Sequence, residues 1–373
     1  MLDEAVKGGN PWFLTVAPAV PHVGINSTTG LTFDPIPQTK WANAFSDQIV
    51  PRTPNYNPVN QESGASWILN MPLLNDTEVN AFDGLYRARI RCVAGLDDLV
   101  AALVAALDQY GILDNTHFIF TTDNGYHIGQ HRLGPGKKSG FETDINIPMV
   151  WRGPGIPAGK TIKSISTHTD LAPTFLSIFG LGLRTNFDGQ IIQTTQTGSF
   201  QQGVENINIE HWGNANPYEI RPYHSIDIVG SLNNTYKGLR INADSYSFYY
   251  SVWCTNEHEL YDMVKDEFQI SNLLQGTYES TGLPSNLVAG WPLDQVVQRL
   301  DALLLVLKSC VGIECTKPWL QLHPQGDVST LKAAMSPKFD SFYASQPKVS
   351  FSACEAGYII KSEGPQTAIT YVA

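Results

Sequence analysis

The sequence has no long apolar run. The longest, Leu99 to Leu107, falls far short of the roughly 18 residues that a membrane-spanning helix needs. Basic residues are also scarce, with 24 Lys and Arg against 35 Asp and Glu, for a net charge of -11. That acidic balance repels phosphate backbones and argues against a nucleic-acid partner. An anionic ligand therefore needs a locally positive site, such as a metal. The first residues, Met1 to Gly9, lack the basic start and apolar stretch of a signal peptide. They read as the last turns of an amphipathic helix ending at Gly8-Gly9, which leads us to expect a truncated chain. Cysteines number only five, and four of them (Cys254, Cys310, Cys315, Cys354) fall late. Four late cysteines are compatible with two disulfides in an oxidising compartment, with three pairings open. Cys92 sits in a helical pattern and is expected to be a buried thiol. Asn-x-Ser/Thr sites at Asn26, Asn75 and Asn233 support a secreted glycoprotein only weakly.

What is present is a chain of 373 residues, enough for a large domain and a smaller one. Pro11 to Val16 is a short apolar run expected to form a buried strand, feeding the loop that ends at His22. Residues 24–75 show little periodicity and are expected to form a long surface loop. Residues 78–110 carry Leu85, Val93, Leu96, Val100, Leu103 and Leu107 at three- and four-residue steps, the mark of an amphipathic helix. A turn and an apolar strand, His117 to Thr122, follow. That order predicts an α/β domain with a mainly parallel sheet. Ligands in such sheets bind beyond the carboxyl ends of strands, where Asp123-Asn124-Gly125 stands.

Asn146 to Trp151 is expected to be a second strand, and Thr169-Asp170 to cap a helix running through Ile178. Residues 184–235 give no clear pattern. From Tyr236 the texture becomes that of an antiparallel meander, with a late amphipathic helix over Pro292 to Lys308. The expected domains are 1–235 and 236–373.

Asp123 and Asn124 offer hard oxygen ligands suited to Ca²⁺ or Mg²⁺. An Asx turn, with both side chains serving the backbone, is the plain alternative. The segment that follows holds His127, His131, Arg132, Lys137 and Lys138 in an otherwise acidic protein. Such a concentration of cations is what an anionic substrate requires. His22 is a loop histidine whose weight depends on its strand lying beside the one that ends at Asp123.

Several segments resemble one family. Pro11-Trp-Phe-Leu-Thr-Val-Ala-Pro-Ala-Val-Pro-His22 resembles the part of sulfatases that ends in a substrate-contacting histidine. Leu113 to His131 is similar to their metal-loop signature. Gly136 to Pro148, Arg152-Gly-Pro-Gly, His168-Thr-Asp-Leu-Ala-Pro-Thr-Phe-Leu and Glu257 to Glu267 fit the same family, closest to fungal arylsulfatases and glucosamine-6-sulfatases. The resemblance implies an alkaline-phosphatase-like α/β fold. In that fold a central mixed sheet is flanked by helices, here truncated, and a smaller C-terminal α+β domain carries an antiparallel sheet. It implies hydrolysis of sulfate esters, on a small molecule or a carbohydrate, in the secretory pathway or outside the cell. It implies Ca²⁺ and a formylglycine nucleophile. Asp123 and Asn124 then correspond to two calcium ligands. Lys137, with Lys138 its competitor, corresponds to the lysine that neutralises the sulfate. His22 corresponds to the histidine beside the leaving oxygen, with His127 and His131 as further pocket residues.

One family feature is missing from the sequence. No Cys-x-Pro-x-Arg or Ser-x-Pro-x-Arg occurs, so none of the five cysteines opens the motif that yields formylglycine. The expectation is a chain that turns over no sulfate ester by itself. The rival expectations are a phosphoesterase of the same superfamily and a non-catalytic remnant.

Overall fold

The computed structural model describes residues 2–194, 205–214, 233–275 and 287–372. A short helix, α1 (Leu2–Lys7), ends at Gly8-Gly9 as the sequence implied. The expected strand at Pro11 to Val16 does not form. Phe13 is 60% exposed, and no described strand pairs with this run. An apolar run becomes a strand only when a neighbour satisfies its backbone, and none does so here. Residues 24–75 are largely irregular, with a two-residue ribbon (Gly24–Ile25 against Thr32–Phe33) and single helical turns.

The long helix α2 (Asp76–Gln109) is the backbone of this part. Its start is fixed by a capping box: Glu78 N–H donates to Asn75 Oδ1 at 3.1 Å, and Asn75 N–H donates to Glu78 Oε2 at 2.9 Å. Phe82, Leu85, Cys92 and Leu107 lie on its buried stripe. Three arginines at alternate positions tie it to the preceding loop. Arg87 donates to Gln48 O at 3.0 Å, Arg89 to Pro21 O at 3.0 Å and Arg91 to Ala44 O at 2.6 Å.

Strand β1 (Phe118–Thr121) follows and pairs with β2 (Met149–Arg152), Phe118 opposite Arg152 and Thr121 opposite Met149. The pairing is antiparallel, which corrects the expectation of a parallel sheet. The connection between the two strands contains loops and one helical turn, α3 (Glu142–Ile145), rather than a crossover helix, so the chain returns against its own direction. Helix α4 (Leu171–Ile178) is entered through a capping box between Thr167 and Asp170.

The second sheet has the order β3 (Asn206–His211), β4 (Tyr236–Ala243), β5 (Tyr246–Trp253), β6 (His258–Asp262), with every neighbour antiparallel. Its first strand lies upstream of residue 235. Period-two alternation gives the sheet two apolar faces. Leu239, Tyr250 and Leu260 stand in register on one face and pack on helix α5 (Leu293–Leu307). Val296, Leu300, Leu303 and Leu304 of that helix are all 0% exposed. Each such burial contributes about 1.5–3 kcal/mol. Tyr249, Trp253 and Tyr261 stand on the other face, packed with Phe82 of α2 and with Ile128, Leu133 and Phe141 of the segment after β1. The described chain is thus a mixed α/β protein with antiparallel sheets, and the second face of the larger sheet is the floor beneath the Asp123 segment.

Cys254 is bonded to Cys354 and Cys310 to Cys315, while Cys92 is a buried free thiol. Among the described residues, no helix is long and apolar enough to cross a membrane.

Candidate functional site

The site begins where β1 stops. Thr122 is followed by Asp123, exposed, and Asn124, half-buried. Asn124 N–H donates to Asp123 Oδ1 at 3.0 Å, and Asn124 Nδ2 donates to Gly125 O at 2.7 Å. Both bonds join adjacent residues, so the side chains serve the local backbone without the two-residue span of an Asx turn. Asn124 Oδ1 is left to Lys137, whose Nζ donates to it at 3.2 Å.

Thirteen residues separate Asn124 from Lys137, and helix α3 brings them together. Gly125 N–H donates to Asp144 O at 2.8 Å and Tyr126 N–H to Thr143 O at 2.7 Å. The approach is close enough that a Cβ at Gly125 would sit 2.0 Å from Thr143 O. Only glycine fits there. His127 and Gly136 then exchange two backbone bonds, at 2.9 and 3.0 Å, and close the loop between them.

The buried Asp144 carboxylate fixes both ends of that closure. It accepts from His127 Nδ1 at 2.8 Å, from Ser139 N–H at 2.9 Å and from Ser139 Oγ at 2.6 Å. Since a carboxylate only accepts, His127 carries its proton on Nδ1. Lys137 and Lys138 are therefore held between two anchors on one carboxylate. The backbone between them is constrained: Lys138 has φ +97, a region that side-chain-bearing residues avoid.

The larger sheet holds the same segment from below. Arg240 Nε of β4 pairs with Glu142 Oε1 at 2.7 Å, Gln269 Oε1 accepts from Glu142 N–H at 2.6 Å, and Asn234 Nδ2 donates to Lys138 O at 3.2 Å.

The five cations of the sequence segment sort into two groups. His127 is buried against Asp144. His131 is 1% exposed, stacked on Phe141 with ring centroids 3.6 Å apart, and bonded to Ser63 Oγ at 2.8 Å and Asn55 Nδ2 at 3.2 Å. It is a packing residue rather than a pocket residue. Burial, with a smaller push from His127, takes its pKa from 6.5 to about 3. Arg132 donates to three carbonyls, Pro58 O, Met71 O and Val59 O. Lys137 and Lys138 remain half-buried at the site.

His22 is exposed and its Nδ1 bonds Val23 O at 2.8 Å. Among the described residues, no hydrogen bond joins it to Asp123, Asn124 or Lys137. Its neighbour Pro21 is linked to the site by Arg89, which donates to Pro21 O and lies 4.0 Å over the Tyr126 ring. The structure therefore brings Asp123, Asn124 and Lys137 together and places His22 at their margin. Sequence reasoning passed over Asp144 and Arg89. Asp144 lay inside the family-like segment after Lys137, whereas Arg89 is one of three alternating helix arginines with no local signal.

A Ca²⁺ ion takes six to eight oxygens. Asp123 and Asn124 supply two side chains with such oxygens, and among the described residues no cluster of three acidic, His or Cys side chains could hold a metal. These residues do not make a calcium site by themselves.

Comparison with known proteins follows the same lines. The family model described as Sulfatase matches residues 1–181. A sulfatase of Metarhizium majus is 39% identical over 374 residues, covering 99% of this chain and 78% of that protein. An arylsulfatase of Volvox carteri is 30% identical, covering 95% of this chain and 56% of its own length. The chain thus spans little more than half of the algal enzyme. A solved structure described as a complex with its substrate D-glucosamine-2-N,6-O-disulfate matches at 22% identity and a TM-score of 0.45, covering 56% of this chain and 40% of that one.

Proposed function

This chain belongs to the sulfatase family, and on that premise we propose that it carries the sulfate-holding side of a site for sulfate-ester hydrolysis. The observation that supports this most is the Lys137–Asn124 contact at the carboxyl end of β1. An ammonium held by a carboxamide beside an exposed carboxylate is a fixed positive charge in a protein of net charge -11. Such a charge binds one oxygen of a sulfate monoester and offsets negative charge as it builds there.

In this reading Asn124 orients Lys137, and Asp144 fixes the backbone that carries it. Asp123 and Asn124 would donate two oxygens to a divalent cation, whose chemistry is to polarise the sulfate. His22 would protonate the departing oxygen: its Nδ1 is engaged by Val23 O, which leaves Nε2 to exchange a proton. The substrate class is a sulfate ester on a small molecule or carbohydrate. Two disulfides, together with the family's extracellular members, fit a secreted or secretory-pathway protein.

The test uses 4-nitrophenyl sulfate. The chain should bind it, lose most of that binding on Lys137→Ala, and release no nitrophenol with calcium present, since the nucleophile motif is missing from its sequence. Tighter binding of 4-nitrophenyl phosphate than of the sulfate would instead favour a phosphoesterase.

A further inference from the structure

Arg89 is a charged group near the site with no part in holding the scissile sulfate. Four other arginines of the chain pair with acids, Arg52 with Asp83, Arg152 with Asp114, Arg240 with Glu142 and Arg299 with Asp340, while Arg87 and Arg91 of the same helix each donate to one carbonyl. Arg132, also drawn out of water, satisfies itself on three carbonyls. Arg89 has neither solution among the described residues. Its guanidinium offers five N–H donors. One hydrogen bond is made, from Nη1 to Pro21 O, and the planar group lies 4.0 Å over Tyr126. Burial lowers its pKa, Tyr126 and Cys92 offset this only in part, and no carboxylate acts on it among the described residues.

A partly desolvated cation with no counter-charge is unfavourable. This one occupies a definite place. It stands between Pro21, next to His22, and Tyr126, two residues from Asn124. A guanidinium carries its donors in its own plane, so those not bonded to Pro21 can receive a carboxylate or sulfate through two parallel bonds. Lys137 already serves the Asn124 end of the site.

We propose that Arg89 is a specificity residue that holds a second anionic group of the substrate, so that the site prefers sulfate esters carrying another carboxylate or sulfate near the scissile one. This rests on the sulfate-ester reading and deepens it.

The test compares phenyl sulfate with its 2-, 3- and 4-carboxy derivatives, titrated calorimetrically into the chain in a buffer free of sulfate and phosphate. At least one carboxy derivative should bind about tenfold more tightly than phenyl sulfate, the scale of one charge-assisted pair. Arg89→Gln should remove that advantage and leave phenyl sulfate binding unchanged, while Arg89→Lys should keep part of it. Thermal melting of each variant shows that it is folded. Equal binding of all four probes, or an advantage that survives Arg89→Gln, overturns the inference and leaves the sulfate-ester reading standing. A lower melting midpoint in Arg89→Gln with unchanged discrimination also overturns it, because the guanidinium would then be paired within the protein. Failure of phenyl sulfate itself to bind sinks both.

Discussion

Lys137 Nζ donates to Asn124 Oδ1 at 3.2 Å across a loop that neither residue closes. The contact depends on helix α3 holding both flanks, so the two side chains report on binding more than on folding. Lys137→Ala should weaken 4-nitrophenyl sulfate binding about tenfold or more. Its effect on stability should stay within about 0.5 kcal/mol, as for half-exposed side chains outside the core. Titration calorimetry and urea denaturation on the same sample check both halves.

Asp144 should behave in the opposite way. It is 5% exposed and receives His127 and Ser139 on one carboxylate. Asp144→Ala strands those donors and should cost about 3 kcal/mol or more. The urea midpoint should fall with little change in slope. A midpoint like that of the unmutated chain would mean that the loop is closed by its backbone bonds without Asp144.

Calcium gives a third expectation. Two oxygen-bearing side chains are far from the six to eight ligands that the ion prefers. The chain should bind Ca²⁺ no more tightly than about 0.1 mM, the weak end of protein sites. Asp123→Asn should remove what binding there is. A micromolar dissociation constant by calorimetry would show that the chain holds donors beyond Asp123 and Asn124.

The burial of His131 makes a prediction about acid. Its pKa falls from 6.5 to about 3 on folding, first because burial disfavours the charged ring. Between those values the folded chain binds fewer protons than the unfolded one. The stability it contributes is therefore complete above about pH 6.5 and is lost as the pH falls toward 3. By pH 4.5 the loss should reach about 3 kcal/mol. Denaturation of the unmutated chain and His131→Gln at pH 7.5 and 4.5 isolates this effect, because the difference between them should shrink by that amount in acid. A difference that does not change with pH would place the ring in water.

The two disulfides should differ in weight. Cys254–Cys354 closes a loop of 100 residues, and Cys310–Cys315 one of 5. Loop-closure entropy predicts a loss of about 5 kcal/mol for replacing the first pair with serine and about 2 kcal/mol for the second. Peptide mapping without reductant should recover both bridges, and finding four free thiols would remove the basis of this ranking.

Much of the fold was legible in the sequence because its signals are local. The three- and four-residue steps from Leu85 to Leu107 repeat from turn to turn of α2, whereas the Asn75–Glu78 cap that starts it went unread. Alternation over Tyr246 to Trp253 is a property of one strand. Pro11 to Val16 misled because a strand is a relation between two segments, and its apolar pattern carries no information about the neighbour. The direction of β2 was hidden for the same reason: an apolar run reads identically in either orientation.

The site divides along the same line. The sequence by itself determined which residues could carry the chemistry: Asp123 and Asn124 at a strand end, a cationic segment after them, and the family to which they belong. It could not say which cations are spent on structure. Only the tertiary structure decided that His127, His131 and Arg132 are satisfied inside the protein, that Lys137 reaches Asn124, and that Arg89 arrives from helix α2 with no carboxylate partner among the described residues. The physical reason is that a charge is defined by its surroundings. Partners separated by 13 to 76 residues set desolvation and hydrogen bonding here, and those separations close only when α2, α3 and the larger sheet pack around the loop after β1.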